Sequence, residues 1–555
     1  MQYKQTLLKT ILLLAPFCAL SQTTYLPQGA KEYVLLERME IKLGTDSILN
    51  FSKTKPYSRQ MMIPRLSRLD SAQLTKVDQY NLHTAMLSNL EYASGSRNRY
   101  MSKRPILKSF YETPGNLYEK NLENFYIAIN PVFQYTVGKE RDNDDHLFTN
   151  TRGLAVRGRI AHKVGFAAYV TDNQERNPLY VQQFIAERNA VPGAGFYKSF
   201  KEKGGVDYFD ARGYVTFGVA KVIDIQFGYD KNFIGNGHRS LFLSDFSAPT
   251  VFLKLNTRIW KFNYQNLFME LNSAQRLNAD QLLPKKYAAM HHLDVNVTKW
   301  LNIGLFEGIV FGRKDHFEFG YLNPVIFYRS IEQQNGSFDN AVAGLDVKAN
   351  VAKRFQVYGQ LLLDEFKLNE IKAGDGWWAN KYALQGGIKY IDALGIKNLD
   401  LQLESNRVRP FTYSHRDSVA NYTHYNQPLA HPLGANFQEW IGLARYNPIP
   451  KLMLQAKAMY YVQGKDTSAV SYGGNIFLPS GNRNRDYGFD IGSGLRTKTA
   501  LASMLVSYEL RPNFFIEFNG LYRKQSAAIS TVSPASTVVF SGGIRWNMHR
   551  REFDF

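Results

Sequence analysis

The chain has 555 residues, of which 44% are hydrophobic, 14% aromatic and 21% charged. This composition excludes a disordered polyampholyte and leaves room for several soluble domains or one very large one. The formal net charge of +19 indicates anionic partners, such as nucleic acid, lipid head groups or acidic polysaccharide.

The first residues have the parts of a secretory signal. Lys4 and Lys9 precede a short apolar run, and a small-residue cleavage site ends at Ser21. We therefore predict a signal peptide over residues 1–21, with an ordinary N-terminal helix as the alternative. The single cysteine, Cys18, would leave with that peptide, so the exported chain would have no disulfide or thiolate chemistry.

Residues 22–124 are predicted to form a small, mostly helical periplasmic region. Residues 30–44 and 67–92 have helical patterns, and Ser67 or Asp70 could cap the second helix. The apolar residues that share one face of that second helix are Leu69, Val77, Tyr80, Leu87 and Leu90. The region could plug the structure that follows, contact a partner, or lead into its first strand.

From residue 125 onwards, apolar residues repeatedly alternate with polar ones, the pattern of a strand with two different faces. The clearest runs are 223–229, 398–404, 451–463, 514–523 and 538–548. After Gln22 there is no apolar run of about 18 residues, the minimum for a membrane-spanning helix. Periodicity alone fits a sandwich with its polar face in water or a membrane barrel with its apolar face in lipid.

The connections between these runs distinguish the two folds. Eight are very short and contain Lys or Arg, near Lys163, Lys221, Lys261, Lys299, Lys353, Lys397, Lys451 and Arg511. Nine are longer and polar, at 140–148, 174–206, 232–248, 273–285, 313–339, 367–379, 409–434, 465–487 and 525–537. Short and long connections alternate and so join eighteen strands, which is typical of bacterial outer-membrane barrels. We predict an all-β transmembrane barrel over residues 125–555, with both termini periplasmic.

The strand ends and the C-terminus add detail to this barrel. The basic turns have two interpretations: turns are polar in any protein, and basic residues also contact the anionic head groups of the inner leaflet. Separately, Trp260, Trp300 and Trp546 lie near strand ends and suit an aromatic girdle at the membrane interface. The last strand is expected to pair with residues 125–139. Outer-membrane barrels commonly end in an aromatic residue that the assembly machinery reads. Here Phe555 is out of phase with Trp546, so either a bulge shifts the register or the last residues form a short tail.

No residue pattern indicates catalysis, a cofactor or a metal. The GNGHRS stretch at 235–240 is a weak phosphate-loop signal, because no helix clearly follows it. His291 and His292 cannot chelate one ion together, since neighbouring strand residues point to opposite faces, and Asp364 and Glu365 fail as a catalytic pair for the same reason. No nucleophile elbow or HExxH motif occurs. We predict that the protein is not an enzyme, with an outer-membrane hydrolase as the alternative.

Charged residues predicted to face the lumen are of both signs: Asp224, Asp230, Lys348, Asp364, Asp400, Glu404, Lys457, Glu517 and Arg523. They suit a hydrated interior cross-linked by ion pairs or, alternatively, a path for ions or solutes. The long loops place aromatic residues beside basic ones, a combination that binds sugars and acidic polysaccharide. The candidate ligand-binding residues are Phe233, His238, Arg239, Tyr321, Tyr328, Arg329, Trp377 and Trp378. The same side chains could instead pack the loops over the barrel mouth.

Three stretches carry a family resemblance: GYDKNFIGNGHRSLFLSDFSAP (228–249), FEFGYLNPVIFYRSIE (317–332) and DNAVAGLDVKANVAKRFQVYGQLLLDEF (339–366). They resemble the Wzi capsule-assembly family of outer-membrane proteins, and most of all its relatives in the Bacteroidota, including a branch named for gliding motility (RemB-like). The resemblance implies an eighteen-stranded barrel with a helical N-terminal region. It also implies a lectin-like role without catalysis, in which the barrel holds polysaccharide at the cell surface, or a role in surface motility.

We therefore expect an outer-membrane barrel that binds or organises surface polysaccharide, or that supports gliding and surface-adhesin machinery. The expected partners are outer-membrane lipid, acidic surface polysaccharide and proteins of the gliding or secretion machinery. Many weak loop contacts to one polyanionic chain would sum to useful binding. The alternative is a porin or a substrate-selective transport channel. Nucleic acid is a poor partner for an exported chain.

Overall fold

The computed structural model describes residues 23–93, 97–200, 204–219, 222–273, 283–313, 316–325, 327–336, 338–467, 470–526 and 536–555. The predicted signal peptide and the turn at Lys221 lie outside these residues. No helix in the described ranges is long and apolar enough to cross a membrane.

Most of the described chain from Phe125 onwards is antiparallel β-structure, in eighteen long strands. In chain order they are β1 Phe125–Glu140, β2 His146–Ile160, β3 Val164–Arg176, β4 Gly205–Val219, β5 Ile223–Asp230, β6 Thr250–Ile259, β7 Phe262–Asn272, β8 Lys285–Asn296, β9 Leu301–Phe311, β10 Asn340–Val351, β11 Phe355–Glu365, β12 Lys381–Tyr390, β13 Leu399–Val408, β14 Phe437–Tyr446, β15 Leu452–Lys465, β16 Leu495–Arg511, β17 Phe514–Gln525 and β18 Ser536–Trp546.

The strands form one closed barrel in which each strand pairs with its neighbours in sequence. β18 closes the barrel against β1, in a register that runs from Val539 opposite Glu140 to Trp546 opposite Phe133. Closure satisfies the backbone groups of both edge strands, which a sheet in lipid requires. The predicted eighteen-stranded barrel and its closing pair are confirmed.

Side chains alternate between the two faces of the wall, as the period-two pattern predicts. On β13, Leu403 is 63% exposed on the outer face while its neighbour Glu404 is buried in the lumen. Phe518 of β17 and Phe540 of β18 are likewise exposed on the outer face. An apolar outer face and a polar lumen suit a wall whose surroundings are hydrocarbon.

The connections alternate in length, and the short ones share one end of the barrel, here called the short-turn end. The longest of them is the eight-residue 391–398 turn. The first connection at the opposite, long-loop end joins β1 to β2 with only five residues, 141–145, so it is shorter than expected. Three fully described connections at this end, 231–249, 366–380 and 409–436, each run for fifteen or more residues between consecutive barrel strands. Most of the predicted loops at 273–285 and 525–537 lies outside the described residues.

Six α-helices lie in the described chain: α1 Glu32–Leu43, α2 Arg59–Ser67, α3 Lys76–Leu87, α4 Leu179–Arg188, α5 Tyr328–Gln334 and α6 Leu368–Ala373. The helix predicted over 67–92 is shorter than expected and spans Lys76–Leu87. It begins later because the side chain that caps its N-terminus belongs to Thr75, not to Ser67 or Asp70. Asp70 caps a single 3-10 turn, and the Thr75 hydroxyl accepts the N–H of Asp78 to begin α3. The preceding helix α2, capped by Ser58, was not predicted.

Residues 23–93, here called the plug, pack inside the barrel towards the short-turn end. Helices α1, α2 and α3 share an apolar core that includes Leu36, Met39 and Met86. The surface of the plug is tied to the barrel by ion pairs, among them Lys348 with Glu40 at 2.6 Å, Arg157 with Glu91 at 2.8 Å, and Lys53 with Asp294 at 3.4 Å.

Candidate functional site

The eight candidate ligand-binding residues lie in three separate places. Phe233, His238 and Arg239 are inside the lumen, Tyr321, Tyr328 and Arg329 are on the outer wall, and Trp377 and Trp378 are at the long-loop end. They therefore cannot form one binding site, and each place is described in turn.

The first place is the loop between β5 and β6, residues 231–249, which folds into the lumen and is here called the inner loop. Phe233 pairs with Lys55 of the plug in a two-residue β-ribbon. The backbone N–H groups of His238 and Arg239 donate to the carboxylate of Glu404 at 2.7 and 3.0 Å. The inner loop and the plug thus meet in the middle of the barrel.

The last nine residues, 547–555, form a C-terminal tail that turns back into the lumen. Asp554 accepts from Arg239 Nη1 at 2.9 Å and Lys457 Nζ at 2.6 Å, and lies 2.9 Å from His238 Nε2. Burial favours the neutral form of this carboxyl, but Arg239, Lys457 and His238 hold the pKa of Asp554 well below its usual range. Of the two interpretations of the C-terminus, the short tail is therefore correct.

The terminal Phe555 packs at the far end of this tail. Its ring lies 4.8 Å from the ring of Phe184 and 6.0 Å from that of Tyr180, both on α4, and 5.7 Å from that of Phe246 in the inner loop. Since α4 belongs to the long loop between β3 and β4, the tail spans the lumen from the end of β18 to the long-loop side.

A cavity of about 680 Å³ remains in the lumen between the plug, the inner loop, the tail and the wall. Its lining contains thirteen Lys or Arg residues and seven Asp or Glu residues. This excess makes the cavity more favourable for anions than for cations. Among the described residues, no group of three or more His, Cys, Asp and Glu side chains could hold a metal ion.

The second place is the outer wall of β7–β9, which the loop between β9 and β10 covers with residues 316–325 and 327–336. His292 faces the lumen, 2.8 Å from Asp346 Oδ2, so His291 faces outward. The Tyr328 ring lies 4.0 Å from the His291 ring, and the backbone N–H of Arg329 donates to outward-facing Glu307 at 3.3 Å. This loop shields His291 and Glu307 from lipid, where an exposed charged or polar side chain would destabilise the barrel.

The remaining candidate residues in this loop divide between packing and exposure. Tyr321 is fully buried, and its hydroxyl donates to Asp339 Oδ2 at 2.6 Å. The Arg329 side chain is 60% exposed and pairs with Glu332 at 2.5 Å. Tyr321 and Tyr328 are therefore structural here, because both rings are occupied by protein contacts.

The third place is a group of aromatic and basic side chains at the long-loop end, here called the loop-end cluster. It consists of Lys367, Trp377, Trp378, Arg483 and Arg485. The Arg483 guanidinium lies 3.7 Å from the Trp378 ring centroid, and the Lys367 ammonium lies 4.6 Å from that of Trp377. Both tryptophans are half-buried, while Lys367 and Arg485 are exposed.

The loop-end cluster is held by packing underneath it. Trp378 makes an edge contact with Phe411 at 5.9 Å, and Phe411 with Phe489 at 5.0 Å. Arg409 donates to the carbonyl oxygen of Phe489 at 3.0 Å. Three loops therefore fix the two tryptophans, so that their accessible faces and the nearby cations present one rigid surface to solvent.

Sequence reasoning gave the C-terminal tail as one of two alternatives and placed Lys457 in the lumen, but it did not predict that Asp554 of the tail pairs with Lys457 and Arg239. The available signal was the loss of alternation after Trp546, where MHRREFDF interleaves charges with aromatic residues. The arginines of the loop-end cluster were also missed, because Arg483 lies more than a hundred residues from Trp378 in sequence.

Comparison with known proteins assigns the chain to a family. The family model described as "Capsule assembly protein Wzi" matches residues 138–541. The chain belongs to this family. The match covers strands of the wall, the inner loop and all three loops that build the loop-end cluster.

Two solved structures are similar to this chain to different degrees. Wzi of Escherichia coli is 14% identical and has a TM-score of 0.59, covering 95% of this chain and 100% of its own. It is described as an outer-membrane protein involved in group 1 capsule assembly and as a carbohydrate-binding β-barrel. OprD of Pseudomonas aeruginosa is 12% identical, with a TM-score of 0.43 over 76% of this chain and 94% of its own. A comparison with curated protein sequences found no significant match.

These findings identify the chain as an outer-membrane β-barrel of the Wzi family. Fold and family agree with the resemblance seen in the sequence. The wall, the plug and the inner loop together provide a rigid support on which the long loops are displayed.

Proposed function

We propose that this protein is a non-catalytic outer-membrane barrel that binds acidic polysaccharide at its long-loop end. The observation that carries the proposal is the loop-end cluster, in which Lys367 and Arg483 each lie over the ring of a half-buried tryptophan. Arg485 lies over the ring of Phe489, which packs beneath the cluster. Membership of the Wzi family supports the carbohydrate class of ligand.

The chemistry of the loop-end cluster suits a polyanionic sugar chain. The accessible parts of the half-buried Trp377 and Trp378 rings can contact the apolar faces of sugar rings, while Lys367, Arg483 and Arg485 attract carboxylates or other acidic substituents. Each contact is weak, and repeated units of one polymer would engage many barrels at once. The role needs no catalytic group.

The proposal includes an orientation. We place the short-turn end in the periplasm and the long-loop end at the cell surface, because barrels of this kind have short periplasmic turns and long outer loops. The plug would then be assembled from the periplasmic side, and the loop-end cluster would face capsule.

Binding to purified acidic polysaccharide tests the site. The triple variant Lys367→Gln, Arg483→Gln, Arg485→Gln should bind about tenfold more weakly than the wild-type barrel in detergent, since each exposed ion pair contributes up to about 1 kcal/mol. The matched control Lys163→Gln, Lys353→Gln, Lys397→Gln loses the same charge at the short-turn end and should bind normally. Equal losses in the two triples would reject the loop-end cluster as the site.

The cellular role is tested by gene deletion. We expect the deletion strain to lose retained capsule, as measured by polysaccharide in the cell-bound and shed fractions. A role in gliding or surface-adhesin machinery, the other branch of the family resemblance, predicts reduced spreading on agar with normal capsule. Loss of neither property would overturn the proposed function.

A further inference from the structure

Residues 101–112, here called the basic hairpin, project from the barrel between the plug and β1. Ile106 and Phe110 exchange backbone hydrogen bonds of 2.8 and 2.9 Å across a three-residue turn, and Ser102 donates to Glu112 at 2.8 Å. The basic hairpin is therefore an ordered element, although most of its residues are exposed.

The basic hairpin continues the wall of the barrel. Residues Tyr118–Asn121 pair with the short-turn end of β1, with Tyr118 opposite Ile129, and Phe110 forms a bridge to Tyr118 on the other side. Residues paired in this way have side chains on the same face. Ile129 faces outward, because its neighbour Ala128 is buried in the lumen. Phe110 and Ile106 therefore lie on the outer, lipid-side face.

The outer face of the basic hairpin is apolar and uncovered. Leu107, at the tip, is 80% exposed, and Ile106 and Phe110 on the outer face are 53% and 37% exposed. Large apolar side chains grouped in this way mark a surface that contacts a partner or a membrane. Since this face is continuous with the outward face of β1, the occupant that the geometry favours is the bilayer itself.

Three of the four charged residues in the basic hairpin are basic, and the fourth, Glu112, lies at its base. Lys103, Arg104 and Lys108 are exposed and make no ion pair within the described chain. Arg97, at the base, pairs with buried Glu119 at 3.0 Å, which leaves the three exposed cations without a protein counter-ion. Cations beside exposed apolar side chains are the pattern of a segment that lies in a membrane interface.

We propose that the basic hairpin is a lipid-binding element that inserts its apolar tip into the leaflet at the short-turn end and binds the anionic head groups of phospholipids. Leu107 and Ile106 would enter the acyl region, and Lys103, Arg104 and Lys108 would reach the head groups by extending their side chains. The exposed Lys163, Lys353 and Lys397 of neighbouring turns share this end of the barrel. The proposal does not depend on carbohydrate binding.

Lipid titration in native mass spectrometry tests the head-group preference. Phosphatidylglycerol added to the full-length protein in detergent should give bound adducts, while phosphatidylcholine should give few. In Lys103→Gln, Arg104→Gln, Lys108→Gln we expect phosphatidylglycerol affinity to fall on the order of 100-fold, since each cation near an anionic surface contributes about fivefold. The control Lys198→Gln, Lys372→Gln, Arg416→Gln removes three exposed cations at the long-loop end and should keep wild-type affinity.

A fluorescent label at the tip tests insertion independently of charge. The chain's single cysteine, Cys18, lies in the predicted signal peptide, so Leu107→Cys provides a unique labelling site for an environment-sensitive dye. The label should shift to the blue and resist iodide quenching in vesicles that contain phosphatidylglycerol. A label that stays in water overturns insertion, and equal phosphatidylglycerol binding by both triple variants overturns head-group recognition. Neither result would bear on the loop-end cluster.

Discussion

At the scale of single residues, the lumen is organised around carboxylates that carry several cations each. Asp554 has three basic neighbours from two elements: Arg239 and His238 of the inner loop, and Lys457 of β15. A buried charge is tolerated only when it is paired and hydrogen-bonded in this way. Asp554 therefore acts as the fastening point of the C-terminal tail.

The substitution Asp554→Asn should destabilise the folded barrel. The amide removes the negative charge that Arg239 and Lys457 share, and breaking a buried ion pair costs about 3–5 kcal/mol. The loss is measured as the free energy of unfolding in urea, with the protein in detergent micelles. Asp142→Asn is the control, because Asp142 is 90% exposed and should change stability by less than about 0.5 kcal/mol. Equal effects would show that the tail is not fastened by this residue.

Stability should fall as the pH is lowered below about 6.5, because of buried histidine. His424 is buried, accepts the N–H of Asn272 at 3.0 Å and lies 3.1 Å from the carbonyl oxygen of Pro249. Burial lowers the pKa of His424 to about 3. Between the two pKa values the unfolded chain binds a proton that the folded chain does not, so acid favours unfolding. In His424→Gln, the free energy of unfolding should decrease less as the pH is lowered than it does in the wild-type protein. His162→Gln, at an exposed turn, should keep the wild-type pH dependence.

At the scale of elements, the plug is attached to the wall mainly through charge. Lys53 is fully buried and pairs with Asp294 and Asp346, while Asp346 also receives His292. These contacts favour one orientation of the plug, because Lys53 reaches Asp294 and Asp346 on one part of the barrel. Arg38 at the same time pairs with Asp392 and Asp400 on another part. Apolar packing holds the helices of the plug to one another, and ion pairs hold the plug to the barrel.

The substitution Lys53→Met should loosen the plug and leave the wall intact. Two lumen carboxylates would lose their shared cation, at a cost of about 3–5 kcal/mol. We expect faster hydrogen exchange in residues 23–93, with unchanged exchange in the strands. Lys76→Met is the control, since Lys76 is exposed on α3. Faster exchange throughout the barrel would instead show that Lys53 stabilises the whole wall and not the plug alone.

At the scale of the whole molecule, the barrel is filled from both ends. The plug occupies the short-turn side, and the inner loop, the tail and the loops 409–436 and 466–494 fill the long-loop side. In that upper layer the Phe242 ring stacks on the Phe306 ring at 4.4 Å, and the hydroxyls of Tyr413 and Tyr422 bind carbonyl oxygens of the inner loop. The packing favours a support for loops over an open channel.

Planar-bilayer recordings test the closed state. The wild-type barrel should carry no steady current, and Lys53→Met should add brief openings as the plug loosens. Because cations outnumber anions in the lumen cavity, these openings should prefer chloride to potassium, as measured by the reversal potential in a salt gradient. A large steady current through the wild-type protein would instead favour the transport alternative.

Much of the wall followed from local pattern. Alternation such as Leu403 beside Glu404, together with the contrast between short and long connections, predicted eighteen strands and the pairing of the last strand with the first. These features depend on neighbouring residues only, since a strand's two faces and a tight turn are local properties. The family resemblance was local in the same way, and the family match confirmed membership of the Wzi family.

The candidate site was predicted only in part, because its members meet across the folded chain. Trp377 and Trp378 were found from their aromatic character, but their partner Arg483 comes from another loop. Phe233, His238 and Arg239 have the expected residue types and yet lie inside the lumen, while Tyr328 packs on the outer wall. No local pattern distinguishes a loop that folds inward from one that folds outward, because that choice depends on what the lumen already contains.

By itself, then, the sequence determined the barrel, its strand order and the basic character of one end. Only the tertiary structure decided that the plug fills the lumen, that the last nine residues leave the wall, and that Arg239 pairs with Asp554 across 315 residues. The physical reason is the separation along the chain between the residues that determine each feature. Strand periodicity and turn length are set by residues that are adjacent in the chain, whereas a buried charge is satisfied by whichever partner the closed barrel brings to it.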